Sequence, residues 1–188
     1  MGAPRAGLRP AHEPPGRLGR GRAALVWLDP ARDTALARTV AKRLLDGGHR
    51  LSCVWTGVRL GAGADRLDID HCLPWSAWPC GDLWNLLPAS RRVNQRLKRG
   101  RLPSAAALAA ARESILGWWD TAWRSDPDLG LRFDRESAAA LPVPAGAASE
   151  DVFAALEWRR LRLRQDQQLQ EWAGVCRRSD PRRGADQS

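Results

Sequence analysis

Prolines and glycines cut the middle of this chain into pieces too short for a long helix or a broad sheet. Gly47-Gly48, Gly57, Pro74, Pro79, Gly81, Pro88, Gly100 and Pro103 punctuate it. Proline removes a backbone donor and glycine costs conformational entropy, so each interrupts either kind of element. Only brief strands and one short helix fit between them. RLSCVWTGVRL reads as two short strands turning at Thr56-Gly57. After the GAGAD loop, RLDIDH reads as another strand, with Leu67 and Ile69 on one face and Asp68 and Asp70 on the other. Residues 72–89 read as loop around a short extended piece at LWNLL. Ser90 is placed to cap a helix through Arg91, Val93, Asn94, Leu97 and Lys98, which Gly100 and Pro103 end.

The flanks are helical in pattern. Asp29 as cap, Pro30 at the first position and Asp33 in the first turn predict a helix with Leu36, Val40 and Leu44 on one face, ended by Gly47-Gly48. A longer Ala-rich helix is expected over about 104–124, with Leu108, Ile115, Trp119 and Trp123 for packing. DRESAAALP predicts a short helix stopped by Pro142, and a Pro/Gly/Ala linker follows to 148. A last helix starts near Ser149, with Glu150 and Asp151 in its first turn, and runs to about Ala173. Its Arg159, Arg160, Arg162 and Arg164 read as a solvated face. The Gly/Pro/Arg-rich residues 1–22 read as a disordered basic arm, and 174–188 as a disordered tail. The expected layout is therefore arm, N-terminal helix 23–50, a compact core 51–103 and a helical extension 104–173.

Charge narrows the partners. Thirty basic residues face 21 acidic ones, a net charge of +9, and that excess favours a polyanion such as nucleic acid. No apolar run is long enough to span a bilayer, and the N-terminal residues lack the apolar stretch of a secretory signal. Cys53, Cys72, Cys80 and Cys176 form no CxxC pair, so they support no structural zinc and read as reduced thiols of a cytoplasmic protein. The ten tryptophans read as packing groups rather than base-stacking platforms.

The scarce polar residues gather in the core. The chain has two asparagines, Asn85 and Asn94, and both lie here, with Lys98, one of two lysines, and His71, one of three histidines. Asp70 and His71 are adjacent at a strand end, and Lys98 follows Asn94 by one helical turn. If the strand packs on the helix, a carboxylate, an amide oxygen, an imidazole and a cation converge. Phosphodiester hydrolysis needs a base to take a proton from water and a divalent cation to offset charge on the phosphate and the leaving 3′ oxygen. Asp70 and Asn94 offer hard oxygens suited to Mg²⁺ or Mn²⁺. Neutral His71, with a reference pKa of about 6.5, suits the base.

In Asp70-His71 with Pro74 three residues on, then Asn85-Leu86, then Asn94 and Lys98, the chain resembles the HNH endonucleases, in a variant with Asn as the closing residue. The resemblance implies an α+β fold: a small ββα-metal core, a β-hairpin plus a helix, surrounded by further α-helices. It implies Asp70 and Asn94 as metal ligands, His71 as general base, and Asn85 as the residue that holds the loop orienting His71. Lys98 matches a basic position after the closing residue. It is expected to contact phosphate together with Arg91, Arg92, Arg99 and Arg101. The expected activity is metal-dependent cleavage of DNA, one strand per site. An RNA-directed nuclease and a non-catalytic basic binding module on the same scaffold are the alternatives.

Overall fold

The computed structural model describes residues 32–61 and 66–175. The basic arm, the Asp29-Pro30 helix start, most of the GAGAD loop and the tail beyond Val175 lie outside the described residues. The fold is α+β, with a two-stranded antiparallel hairpin at its centre. Strand β1, Leu67–His71, pairs with β2, Leu86–Ser90, in the register Leu67↔Ser90 to His71↔Leu86. Cys72 N–H donates to the Asn85 carbonyl at 2.8 Å and carries the pairing one rung beyond His71. The connection 72–85 turns at Pro74, whose carbonyl accepts from Ala77 and Trp78, and ends in a 3₁₀ turn at Leu83–Asn85. The strand expected at LWNLL thus begins later and runs through Pro88 to Ser90.

Ser90 Oγ accepts from Val93 N–H at 3.3 Å, as a capping serine should. The helix that follows is short and wide, with π geometry over Val93–Lys98. Arg99 then takes φ 55°, which turns the chain sharply into β3, Leu102–Pro103. Upstream, RLSCVWTGVRL forms less sheet than its pattern predicts. A single bridge joins Ser52 to Arg59 around a tight turn in which Gly57 adopts φ 72°.

Helices surround this centre. Helix α1, Ala35–Asp46, buries Ala37, Val40 and Ala41 rather than an outright Leu36–Val40–Leu44 stripe; the two leucines pack at its margin. The small alanines let its backbone approach the hairpin. Helix α2, Ala105–Trp119, is capped by Ser104 and runs into a π turn at Asp120–Arg124. Helix α3, Pro127–Ala140, is longer than DRESAAALP suggests, because the Asp126 carboxylate caps it and Pro127 opens it. Helix α4, Ser149–Gln167, stops before Ala173 at left-handed Gln168, and Glu171–Trp172 returns as β4 beside β3.

Tryptophan carries the packing between layers. Trp84, Trp118, Trp119 and Trp123 are buried. The α2 indoles also anchor the hairpin: Trp118 Nε1 donates to the Leu86 carbonyl at 2.8 Å and Trp119 Nε1 to the Trp84 carbonyl at 3.1 Å. A buried indole N–H needs an acceptor, and these two carbonyls supply it. The α4 arginines are not one solvated face. Arg160 is buried against Glu171 at 2.5 Å, and the Arg159 guanidinium stacks 4.2 Å from the Trp78 ring. Among the described residues no helix is long and apolar enough to cross a membrane.

Candidate active site

A cavity of about 620 Å³ opens where β1, the loop after it and the Val93–Lys98 helix meet. Asp68, Asp70, His71, Trp75, Asn94 and Arg99 are on its wall. Period-two alternation puts Asp68 and Asp70 on one side of β1, and the two carboxylates meet different partners.

Asp70 is buried at 3% exposure. Its Oδ2 accepts from Trp55 Nε1 at 2.7 Å, and Lys98 Nζ lies 3.1 Å from the same oxygen. Burial pushes the Asp70 carboxyl up, against the pull of Lys98 and the Trp55 N–H. Lys98 is wholly buried. It donates also to the His71 carbonyl at 2.8 Å and sits 5.5 Å from the Trp55 ring centroid. Its expected role as a phosphate contact is therefore corrected. A buried carboxylate demands a compensating charge, and Lys98 turns inward to supply it.

Asp68 is nearer the surface and is ringed by donors. Arg38 of α1 reaches Oδ1 at 2.8 Å, and the Ile69 N–H reaches it at 2.9 Å. Asn94 Nδ2 and Gln95 Nε2 reach Oδ2 at 3.0 and 3.1 Å. Burial opposes ionisation of Asp68, but the bonds from Arg38, Asn94, Ile69 and Gln95 together hold its carboxyl below the usual range.

His71 closes β1. Its ring meets Trp75 edge-on, with centroids 5.3 Å apart. Both ring nitrogens are buried and have no hydrogen-bond partner among the described residues. Burial, with the positive charges of Arg32 and Lys98, lowers its pKa to about 4, so the imidazole is neutral at neutral pH. An imidazole with two unpartnered nitrogens in a cavity wall costs stability in a folding sense. It also keeps an open lone pair.

Asn85 lies beneath, fully buried. Its Oδ1 accepts from Leu73 N–H at 2.8 Å, and its Nδ2 donates to the Leu73 and Cys80 carbonyls at 3.3 and 3.0 Å. The side chain thus ties both ends of the loop that leaves His71. Asn94 joins Asp70 and His71 on the cavity wall, but its amide nitrogen faces Asp68 and the Ile69 carbonyl. Arg91, Arg92 and Arg99 are exposed, with Arg91 bonded to Gln95 at 3.1 Å. Arg101 turns back onto the carbonyls of Leu97 and Lys98 and caps the helix.

Sequence reasoning missed Asp68, Trp55 and Arg38 as parts of the site. Asp68 was legible from its i, i+2 relation to Asp70; Arg38 and Trp55 carried no local signal.

Asp70 and Asn94 could offer a hard divalent cation one carboxylate and one amide oxygen from a single cavity wall, beside the His71 imidazole, while both oxygens of Asp68 are taken by other donors. The cation's competitor is built in, since Lys98 already neutralises Asp70. Among the described residues no three His, Cys, Asp or Glu side chains cluster as a metal site. Burial pushes the Cys72 and Cys80 thiols up to about 12, so both stay protonated.

Comparison with curated proteins and with solved structures found no match. Comparison with protein families matched residues 53–104 to the model described as HNH endonuclease, a span that contains Trp55, both hairpin strands and the helix to Lys98. Members of that family act on nucleic acid and are generally dependent on a divalent metal ion. With the Asp70-His71, Asn85 and Asn94 pattern in place within that span, residues 53–104 belong to the HNH endonuclease family.

Proposed function

We propose that this protein is an endonuclease that hydrolyses phosphodiester bonds in DNA with the help of Mg²⁺ or Mn²⁺, nicking one strand per encounter. The observation that carries this reading is His71: a neutral imidazole with neither nitrogen partnered among the described residues, on the wall of the cavity that Asp70 and Asn94 also line. His71 takes the proton from an attacking water at a free ring nitrogen, and the water oxygen bonds to phosphorus as the bond to the 3′ oxygen breaks. Asn85 holds the His71 loop in place through Leu73 and Cys80. Asp70 and Asn94 hold the cation, which when bound offsets charge on the phosphate and leaving oxygen. Trp55 and Lys98 donate to the Asp70 carboxylate and hold it in place. Arg91, Arg92 and Arg99 contact the phosphates on either side. Buried reduced thiols suit action in the cytoplasm.

The test is conversion of supercoiled plasmid to nicked circles with Mg²⁺ or Mn²⁺, with and without chelator, beside His71→Ala. The variant should lose at least ~10²-fold in rate, the contribution typical of a general base, and keep its DNA affinity. Equal cleavage by His71→Ala would remove the proposed base. A matched RNA panel decides between DNA and RNA. One observation favours the non-catalytic alternative, the capture of Asp70 by Lys98. Salt-dependent binding without metal-dependent cleavage of either polymer would support it.

A further inference from the structure

Asn94 must present its oxygen to a cation, yet an asparagine amide has two ends of similar shape. Here the nitrogen end is fixed by chemistry. Its Nδ2 lies 3.0 Å from Asp68 Oδ2 and 3.1 Å from the Ile69 carbonyl. An ionised carboxylate and a carbonyl only accept. A flipped amide would set oxygen against oxygen at both contacts, so one orientation alone is allowed. Asn94 Oδ1 takes no donor among the described residues, and the residue lies on the cavity wall.

Asp68 is in turn held from three sides. Its other oxygen accepts from Arg38 and from the Ile69 N–H, and Gln95 reinforces Oδ2. Arg38 belongs to α1, outside the span 53–104 that matches the family model. An outer hydrogen bond that fixes the orientation of a metal-binding side chain is as much part of such a site as the ligand itself.

We infer that Asp68, clamped by Arg38 of α1, is a positioning residue that fixes the Asn94 amide with its oxygen free for the metal ion. The inference rests on the reading of Asn94 as a ligand. An asparagine at 68 cannot replace the carboxylate, because its single acceptor cannot serve Arg38 and Ile69 on one side and Asn94 on the other.

Mn²⁺ binding to the full chain, followed by electron paramagnetic resonance without substrate, tests it in two backgrounds. In the wild-type background Asp68→Asn should weaken Mn²⁺ binding about 10-fold, the lower end for outer partners of metal ligands. In the Asn94→Ala background the same change should matter less than about 3-fold, since there is no amide left to orient. An equal loss in both backgrounds would mean that Asp68 acts as a ligand or through its charge, and would overturn the inference. If Asn94→Ala by itself leaves Mn²⁺ affinity unchanged, the ligand reading fails first, and the inference with it. Thermal melting of each variant checks folding, with Asp68→Ser as the second variant should Asp68→Asn not fold.

Discussion

Removing the Lys98 ammonium should expose how the centre of this site is held together. Lys98 and Asp70 lie 3.1 Å apart with side-chain exposures of 0% and 3%. Two unit charges at that separation attract by about 5 kcal/mol at an effective dielectric of about 20. Desolvation of both ions cancels much of that gain, so the pair adds little net stability as a whole. The asymmetry appears when one partner is removed. Lys98→Met leaves the Asp70 carboxylate buried with the Trp55 N–H as its one donor among the described residues, and should cost about 3–5 kcal/mol. Asp70→Asn alone leaves the ammonium on the His71 carbonyl and the Trp55 ring, and should cost a similar amount. The double variant Asp70→Asn/Lys98→Met has no buried charge to compensate and should unfold within about 2 kcal/mol of wild type. Urea unfolding of the four proteins at neutral pH gives the cycle, with an expected coupling of about 4 kcal/mol or more. A Lys98→Met protein within about 0.5 kcal/mol of wild type, the scale of an ordinary surface change, would refute the buried pair.

Acid should unfold the protein through His71, whose folded pKa of about 4 lies below its ordinary 6.5. The unfolded chain binds the extra proton, so stability is intact above pH 6.5 and falls as pH drops towards 4. The loss between pH 7 and pH 5 is about 2 kcal/mol, and His71→Gln should remove that slope in urea titrations. Asn85→Ala strands the Leu73 N–H and two carbonyls in a fully buried site. It should cost roughly 2–4 kcal/mol by denaturant unfolding. Trp118→Phe, which deprives the Leu86 carbonyl of its donor, should cost about 1–2 kcal/mol. Arg99→Gly relieves φ 55° and removes an exposed cation at the cavity. It should raise stability by up to about 1 kcal/mol while weakening nucleic-acid binding and lowering its salt slope by about 1.

Much of the local structure was written in short-range chemistry. The LDIDH alternation marks β1, Ser90 and Ser104 mark helix starts, and Gly47-Gly48 marks the end of α1, where Gly48 takes φ 84°. Boundaries were read less well where a long-range contact decided them. Helix α4 yields at Gln168 so that Glu171–Trp172 can pair with Leu102–Pro103, more than sixty positions earlier in the chain. No local pattern encodes that pairing. The hairpin signal at Thr56-Gly57 produced one bridge, because Trp55 is drawn inward to Asp70 instead of lying along a ladder.

The sequence by itself determined which side chains could meet. Strand periodicity places Asp68 beside Asp70, and Asp70, His71, Asn85 and Asn94 gather in one short window, because residue type and spacing are local properties. Only the tertiary structure decided what each of them does electrostatically. Burial removed water from Asp70 and so drew Lys98 inward from the surface it was expected to occupy. Packing of α1 on β1 brought Arg38 onto Asp68, 30 positions away in the chain. A charge chooses its partner by desolvation and distance in three dimensions, and neither can be read from position along the chain.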